Sequence, residues 1–190
     1  MPTSNECFQK NLAFGQIAES KIARWLRSRG NSILPVYDLE YETGKGPRLY
    51  GGATAASIVA PDLLVFGASE ILWCECKQKS AFTWHRKTSK WTTGIDKHHY
   101  EQYLKVAKET KLPVWLMFLH LSAIPWAEDL RLGSPPECPV GLFGGDISEL
   151  ANCINHTHWN WGHYGMVYWA REKLRLIADT SAFTLVGGDS

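Results

Sequence analysis

The stretch Ile71-Leu72-Trp73-Cys74-Glu75-Cys76-Lys77 constrains the fold more than any other part of the chain. Side chains on a strand point to opposite faces in turn, so Glu75 and Lys77 share one face while Leu72, Cys74 and Cys76 share the other. Free cysteine behaves as a small buried hydrophobe, which makes the second face a packing face. The apolar run Ile58 to Phe66 is joined to this one by Gly67-Ala68-Ser69-Glu70, the spacing of an antiparallel hairpin. An acid and an amine are thereby held side by side on a rigid element.

The flanking sequence supplies the other elements. From Phe8 to about Arg29, residues Leu12, Gly15, Ala18, Ile22, Trp25 and Leu26 recur on one side at the helical period, and Gly30-Asn31 stops the helix. Ser32 to Tyr37 reads as a short strand in which Pro35 marks an edge position or a bulge. Glu42 to Gly52, with four glycines and a proline, reads as a mobile loop. Gln78 to Asp96 reads as a polar, basic stretch, Lys97 to Lys111 as a second helix and Pro113 to His120 as a buried strand. Further on, Ile147 to Ile154 reads as a short helix and Met166 to Trp169 as a strand. The order is helix, three strands, helix, strand. A chain of 190 residues suits one domain. The expectation is a single α/β domain over residues 1–190, with its core over about 8–120 and a C-terminal elaboration over about 121–190.

The net charge of +1 lacks the overall basic signature that often accompanies nucleic-acid binding. Carboxylates that hold a metal subtract from that total, however, and the positive charge is gathered locally. Lys79, Arg86, Lys87, Lys90 and Lys97 face only Asp96, interleaved with Trp84, His85 and Trp91. Five scattered cysteines do not form the framework of a small secreted protein, which points to a reducing cytoplasm. The N-terminus lacks an apolar signal core, and no stretch has the ~18 apolar residues of a membrane span.

Pro61-Asp62 opens the run Leu63-Leu64-Val65-Phe66, and the hairpin sets the Asp62 carboxylate beside Glu75. Oxygen-rich sites of this kind suit magnesium or manganese, which keep waters for a phosphate to displace. Lys77 is positioned to orient or activate an attacking water, or to stabilise charge growing on a phosphate. Glu19 falls inside the apolar arc of the first helix, between Leu12, Ile22 and Leu26, whereas Lys21, Arg24 and Arg27 point away. A buried acid needs a cation or a hydrogen-bond donor nearby. The plainer alternative is an ordinary Glu75–Lys77 ion pair on a solvated sheet, with Asp62 a turn residue after proline.

Glu19, Pro61-Asp62 and Glu75-Cys76-Lys77, in this order of elements, resemble the PD-(D/E)xK nuclease superfamily. The resemblance spans Phe8 to His120 and implies a restriction-endonuclease-like three-layer core with a mixed central sheet. It implies that Asp62, Glu75 and the Cys76 backbone carbonyl bind magnesium, with manganese an option. Lys77 would then act on the water and Glu19 would assist the metal. The implied function is a deoxyribonuclease, an endonuclease of phage-type, RecB-like or junction-resolvase-like kind, in a bacterial or phage-infected cell. DNA is the expected partner, a homodimer is an open option, and no membrane association is expected. The alternative is an inactive nuclease-fold module that grips DNA or a protein.

Four further features are weighed on residue chemistry. Lys79, Arg86, Lys87 and Lys90 are candidates for a substrate-binding wall, since cations neutralise phosphates and aromatic rings stack on unpaired bases. Lys45 and Arg48, in the glycine-rich loop, are candidates for closing over nucleic acid. Gln102, at the edge of the second helix's apolar arc of Ile95, His99, Tyr103, Val106 and Ala107, is a candidate catalytic residue able to reach the site, with a helix-capping or surface role as the plainer alternative. Some RecB-like members carry a Gln-x-x-x-Tyr order on this helix, from which Gln102-Tyr103 departs. Cys153, His156, His158 and His163 do not have a standard structural zinc spacing and lack a second cysteine pair, so surface or core histidines are expected there.

Overall fold

The computed structural model describes residues 17–36, 47–50, 57–159 and 165–184. Residues 17–28 form helix α1. The strands are β1 (Ser32–Pro35), β2 (Arg48–Tyr50), β3 (Ser57–Val59), β4 (Leu63–Phe66), β5 (Ile71–Lys79), β6 (Thr83–His85), β7 (Lys90–Asp96), β8 (Val114–His120), β9 (Gly141–Asp146), β10 (Ile154–His158), β11 (Met166–Ala170) and β12 (Arg175–Ala178). The remaining helices are α2 (Lys97–Thr110), α3 (Ala127–Arg131), α4 (Ile147–Ala151) and α5 (Ser181–Thr184).

A mixed six-stranded sheet in the order β1-β4-β5-β8-β9-β12 forms the centre. Its nucleus is the hairpin expected from the sequence: β4 runs antiparallel to β5 from Leu63–Cys74 to Phe66–Ile71, closed by the Gly67 N–H donating to the Glu70 carbonyl at 2.9 Å. β8 lies parallel to β5 on its other side, and this is the pairing that needs α2 as its crossover. β1 occupies one edge, where Pro35, lacking an N–H, is tolerated.

Alternation along β5 and β8 divides the core between the two faces of the sheet. Cys74, Cys76, Met117 and Leu119 pack with Ile22 and Leu26 of α1, while Trp73, Leu116 and Phe118 pack with Tyr103 and Val106 of α2. Each large side chain sealed in this way contributes about 1.5–3 kcal/mol. The part of the first helix that carries Leu12 and Gly15 lies outside the described residues.

Three readings of the sequence are corrected. The run from Ile58 to Phe66 is not one strand: it breaks at Ala60-Pro61-Asp62, so that β3 pairs with β2 in a separate two-stranded ribbon and only β4 enters the central sheet. Proline offers no ladder N–H, and the Ala60 N–H turns instead to the Pro47 carbonyl at 2.8 Å. Within the glycine-rich stretch, Arg48–Tyr50 is therefore strand β2, tied to β3 also by Arg48 Nη1 donating to Ser57 Oγ at 3.1 Å. The stretch Gln78 to Asp96 holds β6 and β7. Their tryptophans pair in register, Trp84 with Trp91, and meet edge to face at 5.1 Å.

β6 and β7 join β10 and β11 in a second sheet of order β10-β11-β7-β6. Its inner face contributes Trp91, Ile95, Val167 and Trp169 to the α2-side core. β9 and β12, from the C-terminal stretch, extend the central sheet beyond β8. Among the described residues no helix is long and apolar enough to cross a membrane.

Candidate active site

The break before β4 is what creates the site. Asp62 sits in the bend, and its Oδ2 accepts the Cys76 N–H of β5 at 2.8 Å. That bond holds the carboxylate against the α2-facing side of β5, where Glu75 and Lys77 emerge. Glu75 is 1% exposed, and the Lys77 ammonium, on a side chain 32% exposed, lies against its Oε1 as an ion pair. The Tyr103 hydroxyl of α2 is a second donor facing the Glu75 carboxylate.

The electrostatics follow from packing two acids together. Burial pushes the Asp62 carboxyl well above its usual value, and the Glu75 charge pushes it further, against the pull of Lys77 and the Cys76 N–H. The Glu19 charge adds a smaller push of the same sign, so Glu19 on α1 is within electrostatic reach of Asp62. Burial alone would lower the Lys77 ammonium, but the charges of Glu75 and Asp62 overcome it and hold the amine above its ordinary value. Burial, followed by the Glu75 and Asp62 charges, also raises the Tyr103 hydroxyl well above the usual tyrosine value.

These groups open into a cleft of about 350 Å³ that is also lined by Arg48 of β2, Val59 of β3, and His98, His99 and Tyr103 of α2. His99 and Tyr103, one helical turn apart, have near-parallel rings with centroids 5.9 Å apart. Burial lowers the His99 imidazole, with Lys77 adding to the effect. His98, His99 and Tyr103 were not singled out in the sequence as site residues. The apolar arc of α2 absorbed His99 and Tyr103, and only their place on the helix after the basic stretch signalled otherwise.

The structure distributes the remaining sequence candidates unevenly. Arg48 reaches the cleft; Lys45 lies outside the described residues. Gln102 does not line the cleft, because its Oε1 accepts the Val59 N–H at 3.3 Å and ties α2 to the ribbon. Lys79 lies behind Lys77, where burial and then the Lys77 charge bring its amine down to about 8. Arg86 and Lys87 line a different and larger cavity, of about 790 Å³, on the second sheet. His163 is outside the described residues.

Among the described residues no three His, Cys, Asp or Glu side chains form a ready metal cage. The chemistry of the donor set nevertheless suits a hard cation: two adjoining carboxylates, one of them sealed from water, converge with the Lys77 ammonium as their counter-charge.

No family model matches the sequence, and no curated protein is similar to it. Among solved structures, the fold is similar to a Holliday junction resolvase from the archaeal hyperthermophile Archaeoglobus fulgidus, with a TM-score of 0.43 and 11% identity over 90% of this chain and 93% of that one. It is also similar to a nuclease from a fusselovirus, with a TM-score of 0.38 and 12% identity over 97% of this chain and 92% of that one.

Proposed function

We propose that the chain is a magnesium-dependent nuclease that hydrolyses phosphodiester bonds in DNA, built on a restriction-endonuclease-like core. The observation that carries this reading is the convergence of Asp62, Glu75 and Lys77 from the two strands of one hairpin at the floor of a cleft. Buried like charges destabilise a fold, and their retention side by side is explained by a cation that both are there to hold.

Asp62 and Glu75 would hold the ion, with manganese an acceptable substitute. The Cys76 carbonyl would be a third donor. Within a strand the N–H and C=O of one residue face the same side, so this carbonyl shares the Asp62 side of β5, beyond the start of β4. Glu19 would assist from α1. Bound there, the metal would lower the pKa of water and polarise the phosphate. Lys77, held protonated by its two acid neighbours, is suited to orient the attacking water and to stabilise charge on the phosphate oxygens rather than to accept a proton. Arg48 at the cleft wall is suited to a bidentate grip on a neighbouring phosphate. Lys79 and Lys90 would add charge along the strand's path.

The test is to incubate the pure protein with linear, circular and branched DNA, with and without magnesium or manganese, beside Lys77→Ala. Metal-dependent cutting that falls by about 10²–10³-fold in the variant is expected. Binding of DNA by both proteins with no cutting of any substrate would sink the nuclease reading in favour of a binding module.

A further inference from the structure

The second sheet presents a cavity that the hydrolytic site does not use. Its outer face is set by alternation: His156 pairs with Tyr168, and Tyr168 with Gly94. Because residue 94 is glycine, the Tyr168 ring lies across β7, its Cδ1 only 2.9 Å from where a Cβ would stand. Tyr168 and His156 stack with centroids 4.5 Å apart and 3° between planes, and His156 and His85 with 3.8 Å and 8°. The column thus crosses from β11 through β10 to β6. It ends at His85, which stacks on no further ring among the described residues.

All three rings line the cavity of about 790 Å³, together with Trp126 at the start of α3, a residue 55% exposed. That volume lies within the ~300–1,000 Å³ of small-ligand sites. The column is built to stay flat. His85 Nδ1 is 2.8 Å from Thr88 Oγ1 and His156 Nδ1 is 2.8 Å from Asn155 Oδ1, while Asn155 Nδ2 donates to Thr88 Oγ1 at 3.3 Å. It is also uncharged at neutral pH, since burial, with the neighbouring histidines, holds His156 at about 4, and burial, with Lys87, lowers His85. Arg86 and Lys87 supply positive charge in the same cavity, which Glu128, ion-paired with Arg131, and the buried Asp129 also line.

We propose that this cavity takes an unpaired base of the DNA strand bound at the cleft, stacked on the His85–His156–Tyr168 column and against Trp126, with Arg86 and Lys87 on its phosphate. The assignment of the ligand as the substrate's own strand rests on the nuclease reading. Flat neutral rings match the face of a base and the two cations match the charge beside it. A paired base hides that face, so single-stranded DNA is the partner selected. The cavity is also linked to the cleft: His85 pairs with Lys90, where β7 begins, and β7 ends at Asp96, next to the first turn of α2 with His98 and His99. At ~3.3 Å per residue, β7 spans about 20 Å, which places the held base several nucleotides from the phosphate that is cut.

The experiment measures, in EDTA, the anisotropy of a short fluorescein-labelled single-stranded DNA and of its duplex with wild type, His85→Ala, Trp126→Ala and His85→Phe. The ratio of single-strand to duplex affinity should fall about tenfold in each alanine variant and stay near wild type in His85→Phe, which keeps a flat ring in the column. An unchanged ratio in both alanine variants overturns the proposal, and so does a loss in His85→Phe equal to that in His85→Ala. Displacement of the single strand by equimolar free deoxynucleotide would make this a nucleotide site and overturn it as well. Because no cutting occurs in EDTA, failure of the hydrolytic reading is seen separately, as absence of cleavage once metal is restored.

Discussion

The Cys76 N–H on β5 donates to Asp62 Oδ2 at 2.8 Å, in the bend just before β4 begins. A side chain thus continues the pairing of the hairpin beyond the end of its strand. The bond secures one oxygen of Asp62 beside Glu75 in the wall of the cleft.

Asp62→Asn is expected to separate stability from activity. With its pKa raised in the fold by burial and then by Glu75, the Asp62 carboxyl binds its proton more tightly folded than unfolded. Its ionisation therefore costs stability once the pH rises above the ordinary carboxylate value of about 3.9, and the cost disappears as the pH falls below it. In EDTA at neutral pH the variant should melt a few degrees higher, at about 2–4 °C per kcal/mol for a chain of this size. Cleavage should be lost, and magnesium should raise the melting temperature of the wild type more than that of the variant. A less stable variant that cuts normally would refute the site.

Gln102→Ala tests whether this residue acts in the chemistry or in the scaffold. Its Oε1 accepts the Val59 N–H at 3.3 Å, and the loss of one such bond costs about 1 kcal/mol. A small drop in melting temperature is expected, with cleavage reduced far less than in Lys77→Ala. An equal loss of rate in the two variants would make Gln102 part of the reacting assembly.

His120→Phe should flatten the acid limb of the stability curve. His120 is fully buried, stacked on Phe82 at 3.7 Å, and its pKa is depressed to about 3 by burial and then by Lys79. A depressed folded pKa gives stability that is complete above the unfolded value of about 6.5 and is lost as the pH falls toward the folded value. Between pH 7 and 5 the wild type should lose about 2 kcal/mol through this group, and the variant should not. Urea melts at the two pH values read the difference.

Gly94→Ala should destabilise the second sheet and disturb its ring column together. The added Cβ would stand 2.2 Å from the Val167 carbonyl oxygen and 2.9 Å from Tyr168 Cδ1. Backbone cannot yield as a side chain tip can, so a loss of about 1–3 kcal/mol is expected, read as a lower melting temperature. A weaker preference for single-stranded over duplex DNA should accompany it, and an unaltered melting temperature would contradict the packing described here.

Local sequence specifies the hairpin and the two faces of β5, and it brings Asp62 to the end of β5 that carries Glu75. These depend on alternation and on a connection between Phe66 and Ile71 too short to allow another geometry. Helix α2 and strand β8 were legible for the same reason, since an apolar period is a local signal. What lines the cleft depends instead on contacts between elements distant in sequence. Arg48 arrives there because Pro61 breaks the run from Ile58, freeing β3 to pair with β2, and a break of that kind is settled by which sheet each half joins. His98 and His99 reach the cleft because α2 is the crossover between the parallel strands β5 and β8. The strands within Gln78 to Asp96 were masked by Lys79, Arg86, Lys87 and Lys90, of which Arg86 and Lys87 are exposed while Trp91 and Ile95 are buried. The column of His85, His156 and Tyr168 joins a residue from the middle of the sequence to two that lie far along it toward the C-terminus. No local pattern reports such a contact, because it exists only once β11 has paired with β7 and brought β10 with it.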